Sequence, residues 1–173
     1  MTQSPLRQTN TYVIARIAVL TSLALIFSYI EAIIPYNPGI PGIKLGISNI
    51  VIVVALFRYG FKISFSVSII RVLLAGLLFN GMFGALYSLG GAVLSIIIME
   101  LLKRTNIFSL IGVSLAGAVA HNIGQLAVAS IVIEDVRIFF YLPVLIFSGI
   151  AAGIVVGIAS TLILRNTAIG NIS

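Results

Sequence analysis

The sequence predicts an all-α membrane protein, a single bundle of about six transmembrane helices, and three observations predict it. Sixty per cent of the residues are hydrophobic and 8% are charged, and the mean hydropathy is +1.23, outside the range of a water-soluble domain. The apolar residues fall into six runs separated by short polar or glycine-rich breaks. At roughly 20 residues per span, 173 residues leave room for about six crossings and little else. Lipid is therefore the solvent for most of the chain, and no soluble domain is large enough to hold a conventional active site.

Taken in order, residues 1–11 read as a polar tail, residues 12–165 as one six-helix membrane domain, and residues 166–173 as a second tail. The first apolar run, Tyr12 to Ile34, is too long for a signal-peptide core and lacks a cleavage site, so it reads as a retained first helix. Pro35 stops it, and Tyr36-Asn37-Pro38-Gly39-Ile40-Pro41-Gly42 packs breakers into a loop suited to a lid. The second helix, about Leu45 to Phe57, is short for a full span. The third runs from about Ile63 to Phe79, with Asn80-Gly81 as a tight turn, and the fourth from about Met82 to Leu102. The fifth spans about Phe108 to Ile133, Glu134-Asp135-Val136-Arg137 is polar, and the sixth spans about Ile138 to Leu164. Small residues recur at four-residue spacing, as Gly112, Ala116, Ala120 and Gly124 and as Gly149, Gly153 and Gly157, which suits close helix packing inside the bundle or a dimer seam.

Charge predicts orientation. Arg7, Arg16, Arg58, Lys62, Lys103, Arg104 and Arg165 fall at one set of helix ends, Lys44 and Arg137 at the other. The positive-inside bias then puts both termini in the cytoplasm of a multi-pass cell-membrane protein. The net charge of +6 is scattered between apolar runs rather than gathered on one face, which argues against nucleic-acid binding. With no cysteine, disulfides, thiol catalysis and thiolate metal sites are excluded.

Few residues inside the spans carry chemistry. Arg71 lies near the middle of the third helix with Ser64, Ser68 and Ala75 on its face. At that depth a charge faces a bundle interior, a hydrated cavity or a carboxylate, and it serves either as an anchor for an anionic or carbonyl-bearing ligand or as a structural cation. His121, Asn122 and Gln125 form the densest intrahelical polar cluster, readable as a ligand site or as interhelical glue. One histidine with amides lacks the ligand set for a metal, so no metal or cofactor is expected. Asn49 and Ser48, with Lys44 in the preceding loop, suit either a site closed from outside or a helix cap. Glu31 is placed to meet Lys44, Arg71 or interfacial water, and Glu100 to pair with Lys103 or Arg104.

Gly42-Ile43-Lys44-Leu45-Gly46-Ile47-Ser48-Asn49-Ile50, continuing to Leu56-Phe57-Arg58-Tyr59-Gly60, together with Phe108-Ser109-Leu110-Ile111-Gly112-Val113-Ser114 and Gly117-Ala118-Val119-Ala120-His121-Asn122-Ile123-Gly124-Gln125, resemble the Gx transporter, or heptaprenyl diphosphate synthase component I, family. That family is similar to the substrate-binding (S) components of energy-coupling factor (ECF) transporters. The resemblance implies an S-component-like six-helix fold that captures a small vitamin-like solute and docks on a coupling membrane protein with two ATPases. It also implies that Ala18 and Ser22, with Ala15 nearby, contact that coupling protein. The ligand would lie beneath the loop after the first helix, near Lys44, Asn49 and parts of the last three helices.

Two functions are carried forward. The first is a solute-binding and translocation subunit without ATPase activity of its own, since no phosphate-binding Gly-rich loop ending in Lys and Ser/Thr is present. The solute is vitamin-like or related to isoprenoids and quinones. The second is a noncatalytic scaffold for a prenyl-transfer enzyme. Prenyl diphosphate synthesis needs several carboxylates to hold magnesium on a diphosphate, and the chain has the single aspartate Asp135. It is not expected to be an enzyme.

Overall fold

A computed structural model describes residues 5–34 and 46–169. Lys44, the Pro/Gly loop and the two chain ends lie outside the described residues. Six α-helices make up the fold, α1 (Pro5–Ile33), α2 (Ile47–Tyr59), α3 (Phe61–Ala75), α4 (Gly81–Thr105), α5 (Leu110–Ile133) and α6 (Leu142–Ile169), with no strand among the described residues. Five helical stretches are long and apolar enough to cross a membrane, consistent with a multi-pass membrane protein. The all-α expectation holds.

Helix boundaries move by a few residues, for physical reasons. The described part of α1 reaches back to Pro5, ahead of the first apolar run, because hydropathy marks where the chain meets lipid rather than where it is helical. α3 ends in a π-helical turn, Gly76–Asn80, and the chain reverses at Gly81, whose φ of 71° is open to glycine at little cost. Ser109 caps α5 by accepting from the Gly112 amide at 3.2 Å. Between α5 and α6, Asp135 caps a 3-10 turn, Val136–Tyr141, by accepting from the Arg137 amide at 2.8 Å.

Neighbouring helices define the architecture. α2 packs on α3, α3 on α4, α4 on α5, α5 on α6, and α6 returns to α2. These five form a closed ring, and α1 lies outside it against α2 and α3. The α5–α6 seam is the small-residue stripe of α6: a methyl group on Gly153 would come within 2.6 Å of the Leu115 Cα, and one on Gly157 within 2.8 Å of the Ile111 Cα. Toward α4, α5 uses Gly117 and Gly124, the latter against the Gly90 carbonyl, while Gly112 meets only its own first turn. Close packing of this kind holds helices together where lipid removes any hydrophobic drive between them. One buried apolar cluster, including Ile52, Leu56, Val67, Ile96 and Val113, fills the ring toward the end where Arg58 and Lys103 lie.

Candidate functional site

α2 decides the site. Its 13 residues extend about 20 Å, against a hydrocarbon thickness of about 30 Å. Its C-terminal end is fixed at one face of the bundle. There the Arg16 guanidinium lies over the Tyr59 ring at 5.3 Å, and Lys103 Nζ donates to the Leu56 carbonyl at 2.7 Å while facing the Phe57 ring. The N-terminal turn therefore ends inside the protein, where Gly46 and Ser48 are buried. A helix N-terminus presents unpaired amides that a membrane interior cannot solvate.

Those amides are satisfied from another helix. Gly46, in a left-handed conformation with φ 76°, precedes α2 without any side-chain cap of its own. Glu31, in the last turn of α1, accepts from the Gly46 amide at 2.5 Å and from the Ser48 amide at 3.4 Å. A carboxylate is unfavourable at the C-terminus of its own helix and favourable at the N-terminus of another, so the α2 dipole holds Glu31 where it lies. Ser48 and Asn49, which the sequence offered as helix caps, face Arg71 instead. Arg71 Nη1 donates to Ser48 Oγ at 3.0 Å and Nη2 to Asn49 Oδ1 at 3.4 Å. Ser48 Oγ in turn donates to Glu31 Oε2 at 3.0 Å. Glu31 and Arg71 are thus linked through one hydroxyl rather than in direct contact, and Arg71 Nε is buried with no hydrogen-bond partner among the described residues.

Beside this network the ring encloses a cavity. It is lined by Gly46 and Asn49 of α2, Ser68 of α3, Ser95 of α4, Ser114 and His121 of α5, and Ala152 and Val156 of α6 among others. The space is about 410 Å³ with its open mouth included, and its enclosed part admits about one water-sized body. Asn49 belongs to both features, lining the cavity and accepting from Arg71. Ser64, Ser68, Arg71 and Ala75 are all buried on one face of α3, as their spacing predicts.

The polar triplet of α5 does not act as one cluster. His121 lines the cavity, but Asn122 Nδ2 donates to the Leu145 carbonyl of α6 at 2.7 Å, the interhelical bond of the packing alternative. Adjacent residues on a helix point about 100° apart, and here the two side chains reach different neighbours. Gln125 is half-buried, does not line this cavity and hydrogen-bonds to no described residue. Ala18 and Ser22 are exposed on α1, with Ser22 Oγ donating to the Ala18 carbonyl at 2.9 Å. Glu100 pairs with Arg104 at 2.7 Å.

Among the cavity-lining residues that the sequence did not offer as ligand contacts are Ser95, Ser114 and Gly117. Ser114 and Gly117 precede His121 by seven and four positions, and that spacing on one helical face is a signal that could have found them. Ser95 of α4 had no such marker. Gly91 supports His121 from α4: a methyl there would sit 2.6 Å from the His121 carbonyl and 3.0 Å from its ring.

A ring of apolar helices around a largely apolar cavity that Asn49, Ser68, Ser95, Ser114 and His121 also line, with a buried cation beside a helix that ends inside the bundle, defines a helical integral membrane protein with polar groups in its interior. The family model for heptaprenyl diphosphate synthase component I matches residues 20–163. The chain belongs to that family. No curated protein and no solved structure matches it.

Proposed function

We propose that this protein is a membrane-embedded solute-binding subunit, of the S-component kind, that takes a small solute into the five-helix ring. The supporting observation is the cavity itself: Asn49, Ser68, Ser95, Ser114 and His121, drawn from four helices, converge on one space, whereas bundle packing alone needs only the small-residue seams. The enclosed part is smaller than a vitamin, so capture requires the ring to widen. Both termini face the cytoplasm, which puts the Arg71 end of α2 on the outer side. The exposure of Ala18 and Ser22, on a helix outside the ring, supports docking of a coupling membrane protein with its ATPases there.

The test is direct. Protein purified gently in mild detergent should retain a small molecule identifiable by mass spectrometry, and His121→Ala or Ser68→Val should lose it while remaining folded. Retention undiminished in both variants would assign the cavity to packing.

The family's description favours a second reading, an accessory membrane component of a prenyl-transfer enzyme. In that case catalysis belongs to the partner, and the chain should co-purify with a soluble prenyl-transfer subunit and raise its rate.

A further inference from the structure

We propose that the α2 N-terminus and Arg71 form a binding site for an anionic head group, a carboxylate or a phosphate, and that Glu31 is its resident occupant until that group arrives. The proposal deepens the solute-binding reading and rests on it for the neighbouring cavity. Charge balance is the first reason. The Glu31 oxygens are engaged by the α2 amides and the Ser48 hydroxyl, and the opposed ends of α1 and α2 offset each other, so the full guanidinium charge of Arg71 is in excess of the neutral oxygens that it touches directly. In a membrane interior such an excess is costly unless an anion meets it.

Geometry is the second reason. Arg71 is 91% buried, being 9% exposed, yet no described carboxylate lies in ion-pair contact with it, Arg104–Glu100 being the only such pair among the described residues. Its Nε has no partner among the described residues, although a guanidinium offers five donors suited to bidentate capture of a carboxylate or phosphate. Ser48 and Asn49 hold the two terminal nitrogens with neutral oxygens, at 3.0 and 3.4 Å. Those oxygens can be exchanged for a charged acceptor without leaving a buried charge behind. Glu31 is tethered on a neighbouring helix and contacts Arg71 only through the Ser48 hydroxyl. An incoming anion would take the Arg71 donors directly, and Asn49 would pass it to the cavity that it also lines.

Full-length protein in detergent is titrated with acetate, inorganic phosphate and inorganic diphosphate at constant ionic strength in chloride, followed by calorimetry and by thermal unfolding. Glu31→Gln keeps an acceptor for the α2 amides but removes the competing charge, and it should bind the preferred anion about tenfold or more tightly than the parent protein. Arg71→Met in the Glu31→Gln background should abolish that gain, whereas Asn49→Leu, which removes only an acceptor that the anion displaces, should leave it. Preference for acetate or for the phosphates assigns the head group. Equal or weaker anion binding by Glu31→Gln, or a gain that survives Arg71→Met, overturns the proposal. A neutral solute retained equally by parent and Glu31→Gln, with all three anions inert, overturns the anion site and leaves the cavity reading standing. Anion binding with these variant effects and no retained solute does the reverse.

Discussion

Ser48 shows how much one hydroxyl can carry in this chain. It donates to Glu31 and accepts from Arg71, so replacing it with alanine strips a partner from a half-buried carboxylate and a buried guanidinium at once. Ser48→Ala should lower stability by about 1–3 kcal/mol. Ser66, whose hydroxyl donates only to the Lys62 carbonyl of its own helix, should tolerate alanine within about 0.5 kcal/mol. Thermal unfolding of the two variants in one detergent compares them, and equal losses would remove the special role of Ser48. Arg71 was legible because a charge in an apolar run stands out from its neighbours. The role of Glu31 was not, since its partners lie 15 and 17 positions further along the chain, and residue type alone does not say which of several distant groups a carboxylate meets.

Between helices, glycine works by position rather than by count. Gly91 lies against the His121 backbone and ring, so Gly91→Ala must push α4 away from α5 and should cost about 1–3 kcal/mol while disturbing the cavity. The nearest atoms to a methyl on Gly112 are at 3.7 Å, ordinary contact, so Gly112→Ala should be neutral or stabilising by up to about 1 kcal/mol. Unfolding midpoints of the pair, with solute retention as a second readout, check the contrast; a destabilised Gly112→Ala would show a seam elsewhere. The four-residue spacing correctly marked the α6 stripe as a packing surface, because that spacing places residues on one face whatever the partner. On α5 the same spacing picked Gly124, which does meet α4, together with Gly112, which does not, and it left out Gly117, because which stripe is used depends on the partner helix's position.

As a whole the molecule is a closed ring of five helices with α1 outside, and its proposed orientation can be tested cleanly because the chain has no cysteine of its own. Val136 and Thr105, both exposed, lie in connections at opposite ends of the bundle. In intact cells Val136→Cys should react with a membrane-impermeant maleimide, and Thr105→Cys only after permeabilisation; the reverse pattern would invert the topology. The sequence by itself determined the all-α membrane class, the number of helices, the shortness of α2 and the presence of a buried cation in α3, because each follows from the hydropathy and length of a local segment. Only the tertiary structure decided that α2 ends beside Arg71, that Glu31 covers its bare amides, and that His121 and Asn122 serve a cavity and a helix seam respectively. Those outcomes depend on how helices distant in sequence are set side by side in lipid, where an unpaired polar group must find its partner within the protein.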